Sequence, residues 1–208
     1  MRSRKRALVA IGACILALAG CSEAPAPEPI STSTIVLAAD GSFIQYRVED
    51  FDSGYYQLSE LDAMIRQEVQ DYVSGASGSG TVAVEQVDTI EGNQDQVMVA
   101  LRFANSHVYE DYAAQVDRQP CSLFYGTVGE AIEAGYELEG VLRDANKGEA
   151  VTAQQLQKLG DRHVLIFEDA LQIRCPSRVL YTGGNVRLTE AGYVDGTEGE
   201  GLKYVVFK

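Results

Sequence analysis

Thr34-Ile35-Val36-Leu37-Ala38-Ala39-Asp40-Gly41-Ser42-Phe43-Ile44-Gln45-Tyr46-Arg47-Val48 sets two strand-forming runs on either side of Asp40-Gly41. β-Branched and aromatic side chains fit a pleated surface, and Asp-Gly tolerates the positive backbone angles of a two-residue turn. The folded body is therefore predicted to open with a β-hairpin. Downstream, Leu58, Leu61, Ile65, Val69 and Tyr72 recur every three or four residues, the spacing of one helix face. Ser59 with Asp62 three residues later reads as its N-terminal cap, and Gly75 as its stop. Val82 and Val84, then Val97, Val99, Leu101 and Phe103, alternate as half-buried strands do, with Gly92-Asn93 between them. A second hairpin is expected there.

Val108, Tyr112 and Val116 suggest a helix that must end before Pro120, and Leu123-Phe124-Tyr125 a short strand. Thr127 with Glu130 and Thr152 with Gln155 are capping boxes, opening short helices that stop near Gly135 and Gly160. Strand patterns follow at residues 163–167, 171–175, 178–181, 186–189 and 202–207, with a β-turn at Gly183-Gly184. Strands that follow one another through short turns, with helices in no regular alternation, predict an α+β fold. Its sheet should be mainly antiparallel, with short helices packed on one face. Residues 34–208 are long enough for one globular domain with a real core.

Working back toward the start, Arg2, Arg4, Lys5 and Arg6 precede an apolar run over residues 7–18, followed by Leu18-Ala19-Gly20-Cys21. The run matches the apolar region of an export signal and is too short to span about 30 Å of hydrocarbon. Small residues suit a peptidase pocket, and the Cys21 thiol is the nucleophile placed to take a diacylglyceryl group. These twenty-one residues resemble bacterial lipoprotein precursors. The resemblance implies cleavage before Cys21, which leaves residues 1–20 as a signal peptide and Cys21 as the lipidation site. Two acyl chains hold a protein at a membrane where one binds only marginally. Residues 21–33 carry Pro25, Pro27 and Pro29 among Ala, Glu, Ser and Thr, an extended tether of roughly 40 Å at full stretch. The expected location is the outer face of the cell membrane.

The whole chain has 17 Lys plus Arg against 30 Asp plus Glu. Loss of residues 1–20 removes four basic and no acidic residues, leaving 13 against 30 and a formal charge of −17. Such a body is repelled by phosphate backbones, so nucleic acid is not an expected partner. Cys14 leaves with the signal and Cys21 is acylated, so Cys121 and Cys175 remain as an even pair in an exported chain. A disulfide between them is the natural reading, worth roughly 4 kcal/mol in the chain-entropy account.

Val164-Leu165-Ile166-Phe167-Glu168, Ile173-Arg174-Cys175-Pro176 and Val179-Leu180-Tyr181 leading to Asn185-Val186 resemble uncharacterised lipoproteins of clostridia. Leu123-Phe124-Tyr125-Gly126-Thr127-Val128 before an Ala/Glu-rich helix adds to the likeness. These are packing patterns. The resemblance implies an envelope location and carries no functional residue across.

No chemical motif stands out. His107 lies near Glu110 and Asp111, short of the three or four placed donors a zinc site needs, and His163 opens an apolar strand as a half-buried, hydrogen-bonded residue. Cys121 or Cys175 with a histidine and an Asp would make a nucleophile, base and orienter, without any recognisable signature around them. No Gly-x-Ser-x-Gly is present. Asp195, Glu198 and Glu200 form an acidic loop unlike a calcium-binding one, and Glu137 with Glu139 read as solvent-facing strand positions. The eleven tyrosines could line a groove for peptide or glycan, though most should serve as core or rim. No cofactor, metal or catalytic residue is expected. The leading expectation is a non-enzymatic binding or scaffolding module at the envelope, with an envelope protein or peptide as partner. An envelope hydrolase using carboxylates or a Cys/His pair and a small solute-capture lipoprotein are the alternatives.

Overall fold

The computed structural model describes residues 29–52, 54–75 and 81–208. The Ser33 carbonyl accepts from the Gln172 amide at 2.9 Å, so the chain is tied down just before its first strand. β1 (Thr34–Leu37) and β2 (Phe43–Asp50) pair antiparallel, with Leu37 opposite Phe43, as the opening hairpin. Its turn is longer than the expected two residues. Ala38 N donates to Ser42 O at 2.8 Å and Gly41 N to Ala38 O at 3.2 Å, which leaves Ala39, Asp40 and Gly41 as the loop. Asp40 Oδ1 accepts from the amide and hydroxyl of Ser42, and Gly41 takes a φ of 84°. A three-residue loop closed by a left-handed glycine satisfies the same signal as well as a tighter turn does.

α1 (Leu58–Ser74) buries Ile65, Val69 and Tyr72, and β3 (Val82–Ile90) and β4 (Asn93–Phe103) form the second hairpin, turning at Gly92 with a φ of 82°. The cap of α1 is Gln57, whose carbonyl accepts from Glu60 N and Leu61 N, and no side chain caps it. Ser59 is thus already the second helical residue, a correction to the predicted start. α2 (Ser106–Tyr112) is capped by Asn105 Oδ1, which accepts from Val108 N at 3.0 Å. It runs on as a π-helical turn over Ala113–Asp117 and stops at Arg118 with a φ of 55°, short of Pro120 as predicted.

β5 (Leu123–Thr127) leads into α3 (Val128–Glu133), then come β6 (Arg143–Asp144) and α4 (Ala153–Gln157). Both predicted capping boxes are formed, by Thr127 with Glu130 and by Thr152 with Gln155. Glu137 and Glu139 are exposed as expected, but they lie between α3 and β6 outside any strand. The remainder is β7 (His163–Phe167), β8 (Gln172–Arg174), β9 (Val179–Gly183), β10 (Arg187–Leu188), β11 (Val194–Asp195) and β12 (Lys203–Phe207). Gly183 ends β9 and Gly184 bends away at a φ of 73°, where a Cβ would lie 2.3 Å from the Leu202 carbonyl oxygen. Only glycine fits that approach.

The class is α+β and the pairing mainly antiparallel, with β1 and β8 parallel. One sheet was expected and two are formed. Seven strands run in the order β10-β11-β8-β1-β2-β4-β3, and five in the order β5-β7-β12-β9-β6. The five-stranded sheet explains the unbroken apolar runs of β7 and β12. Leu165, Phe167, Val205 and Phe207 join the larger core with Ile35, Phe43, Leu101, Phe103 and Ile173 of the other sheet. Val164, Ile166, Tyr204 and Val206 point the opposite way, onto Val128, Ala131, Leu138, Leu142 and Leu156. With successive side chains on opposite faces and both faces covered, no polar residue is needed inside either strand.

Candidate functional site

Phe51 to Gln57 carries the chain from β2 into α1, and its described residues set up an apolar groove. The Phe51 amide donates to Asp95 O at 2.7 Å, which draws the Phe51 ring inward to 8% exposure. The Asp52 carbonyl accepts from both Tyr55 N and Tyr56 N at 3.0 Å, turning those two side chains out. Tyr55 is 86% exposed, Tyr56 65% and Met64 53%. Scattered apolar residues on a surface are ordinary, but Tyr56 and Met64 converge. Between the first half of α1 and the strands β2 and β4 lies a groove of about 440 Å3, walled by Phe51, Tyr56, Leu61, Met64, Val97 and Val99. Glu49, Asp50 and Glu60 stand on its rim. The Phe51 and Tyr56 rings, 6.4 Å apart, separate it from a second recess of about 530 Å3 that holds Asp50, Asp52 and Asp95.

A second cavity of about 440 Å3 lies between β2, α2 and the β7–β8 connection, and its wall is a chain of polar contacts. Asp117 binds Arg47 through both carboxylate oxygens. Arg47 Nε donates to Gln45 Oε1 at 3.1 Å, Gln45 Nε2 to the Tyr109 hydroxyl at 3.0 Å, and that hydroxyl to Asp169 Oδ2 at 3.3 Å. The π-helical turn and left-handed Arg118 re-aim the chain so that Asp117 meets Arg47. Burial alone would weaken the charge on Arg47, but the hydrogen bonds and charge of Asp117 outweigh it and raise its pKa. Burial also raises the Tyr109 hydroxyl, with Asp169 adding to the effect. Lys203, fully buried, donates from Nζ to Glu168 O at 2.6 Å and so pins the turn that presents Asp169.

Cys121 opens onto this cavity, where burial first and the Asp169 charge second push its thiol up to about 11. A thiolate is the nucleophilic form, so the environment works against reactivity at neutral pH. Cys175 is pushed by burial up to about 12. Both are free thiols, which corrects the expected disulfide. Cys121 sits against Tyr109 and Asp169, whereas Cys175 interacts with Tyr125.

The remaining candidates are dispersed. His107 is exposed. Glu110 accepts from Leu123 N at 2.9 Å, and Asp111 from the Tyr72 hydroxyl at 2.8 Å. His163 is half-buried as predicted, but its ring packs beside those of Tyr125 and Phe207, with no hydrogen-bond partner at Nδ1. Asp195 is held below the usual carboxylate range by Thr197 first and by Arg187 after it, and Glu198 and Glu200 stay exposed. Among the described residues no three His, Cys, Asp or Glu side chains gather to hold a metal, and no helix is long and apolar enough to cross a membrane. Leu18, Ala19, Gly20 and Cys21 lie outside the described residues.

Compared with protein-family models, curated proteins and solved structures, the chain matches none. The groove is the feature that sequence reasoning left unassembled. Its signal was Tyr56 just ahead of a helix, with Met64 one position off that helix's apolar face.

Proposed function

We propose that this protein is a lipid-anchored extracytoplasmic binding module, held to the membrane through Cys21 and docking an envelope protein or peptide in the groove between α1 and the seven-stranded sheet. The observation that carries the reading is the convergence of exposed Tyr56 and Met64 on one apolar slot. Solvent-facing aromatic and methionine side chains gathered around a concave surface are the composition of interface anchors. The leader and the tether supply the rest of the reading, since a permanently anchored body acts on whatever passes within its reach.

Other routes to a partner have less support. Sheet edges can recruit an extra strand, but β3 is interrupted by register shifts at Val84/Gln86 and Thr89/Ile90, and β10 is only two residues long. Bulged and short edges are poor templates for pairing. A thiol hydrolase has no histidine beside Cys121 and a thiol held protonated.

A photo-reactive amino acid placed at Tyr56 in living cells is expected to give one discrete adduct, lost when Met64→Glu fills the slot with charge. The same group at Asn146, remote from the slot, should give none. If Tyr56 yields no adduct that Met64→Glu removes, the docking reading falls. Cys21→Ala should move the protein from the membrane to the soluble extracytoplasmic fraction, and unchanged membrane retention would remove the anchor.

A further inference from the structure

Resting on the reading of the groove as a docking surface, we infer that its ligand is a cationic peptide segment, with one apolar or aromatic side chain seated in the groove and an adjoining Lys or Arg in the acidic recess beside it. The two cavities share Asp50, Phe51 and Tyr56, so a chain lying over the aromatic partition would address both at once. The first is walled by carbon and the second by carboxylates. This juxtaposition asks for neighbouring side chains of different chemistry.

The charges are uncompensated. Glu49, Asp50, Asp52, Glu60 and Asp95 line the two cavities, and no Lys, Arg or His lines either one. The ion pairs among the described residues engage Asp117, Asp62, Glu85 and Asp195, none of which belongs to this surface. Asp52 Oδ1 accepts from Gly54 N at 2.9 Å. No bond within the chain occupies the carboxylates of Asp50, Glu60 or Asp95 among the described residues. Apolar walls beside these groups lower the local dielectric and strengthen their attraction for a cation. Tyr56 offers a ring face at the junction, where a guanidinium or ammonium gains a further contact.

Other occupants fit worse. A second copy of this chain, with a formal charge of −13 even before its basic leader is lost, would bring more acid to an acidic rim. An anionic lipid surface is repelled for the same reason. A neutral apolar peptide fills the groove but desolvates the rim carboxylates without pairing them, and a buried unpaired charge is costly.

The test uses the full-length chain in neutral detergent and four fluorescein-labelled peptides: Ser-Gly-Phe-Arg-Lys-Gly-Ser, the same with Gln-Gln for Arg-Lys, the same with Glu-Glu, and the first with Ala for Phe. Anisotropy should show the Phe-Arg-Lys peptide binding about tenfold or more tighter than each of the others, and weakening about tenfold between about 0.05 and 0.5 M salt. Asp50→Asn combined with Asp95→Asn should cost about tenfold, and Asp71→Asn, elsewhere on α1, nothing. Tyr56→Ala should abolish binding, and circular dichroism checks that each variant is folded. Equal binding of the basic and neutral peptides, lost in Tyr56→Ala, would sink the cationic class while leaving the docking reading intact. Failure of all four peptides to bind, a dimer broken by Tyr56→Glu, or binding to phosphatidylglycerol vesicles would each overturn the inference. The adduct at Tyr56 then decides separately whether the docking reading survives.

Discussion

Tyr109 shows how much a single hydroxyl can organise. It accepts from Gln45, which is only 7% exposed, and donates to Asp169, so it links β2 to the turn after β7. Tyr109→Phe keeps the ring packing against Phe43 and Phe103 but leaves the Gln45 amide without its acceptor. The expected loss is about 1–3 kcal/mol in urea unfolding, and a variant as stable as the parent would show the link to be dispensable. The thiols and phenols make a second prediction. Burial raises Cys121 from 9.0 to about 11 and Cys175 from 9.0 to about 12, and raises Tyr72 and Tyr112 from 10.0 to about 12. All four lose a proton more easily once unfolded, so the folded state holds more protons between the two values. Their stabilisation is complete below about pH 9 and drains away as pH climbs toward 11 and 12. The urea midpoint should therefore drop between pH 9 and 11, less steeply in Cys175→Ala; a flat profile would contradict the burial of these groups. Melting with and without dithiothreitol should coincide, because no disulfide is present to reduce.

Helix starts were legible where four residues spell them out. Thr127 Oγ1 accepts from Glu130 N at 3.1 Å while Glu130 Oε2 accepts from Thr127 N at 2.7 Å, and the Thr152 and Gln155 pair repeats the pattern. Ser59 carried a similar local signal and lost, because the chain enters α1 two residues earlier through backbone bonds to Gln57. The two cases separate cleanly by mutation. Thr127→Ala should cost about 1 kcal/mol, whereas Ser59→Ala should stay within about 0.5 kcal/mol of the parent. Equal losses in thermal unfolding would mean that Ser59 caps the helix after all. The opening hairpin teaches the same lesson at a turn: Asp40-Gly41 announces reversal of the chain, while loop length depends on which backbone groups Ala38 and Ser42 find.

Across the whole molecule, β12, like its neighbour β7, lies between both cores. Val205 faces the larger core and Val206 the smaller, each fully buried. Truncation at either site should therefore destabilise the entire fold. Val205→Ala and Val206→Ala are each expected to cost about 1.5–3 kcal/mol with a single unfolding transition, followed by circular dichroism and tyrosine fluorescence together. Two separated transitions in either variant would show that the cores unfold independently. The groove also belongs to this scale, because its walls come from β2, β4, α1 and the connection between β2 and α1.

From the sequence by itself came the elements: hairpins, capped helices, apolar strand runs and the α+β class, each fixed by contacts within a few residues along the chain. The leader and acylation signal remain a proposal drawn from residues 1–21. Which elements meet is settled in the folded chain alone. The split into two sheets, the parallel pairing of β1 with β8, the free state of Cys121 and Cys175 and the assembly of Tyr56 with Asp95 all depend on residues far apart in sequence. Local patterns record whether a side chain is buried, but not against what. Hydrophobic burial is non-directional, so partners are chosen by packing and hydrogen-bond satisfaction across the finished fold.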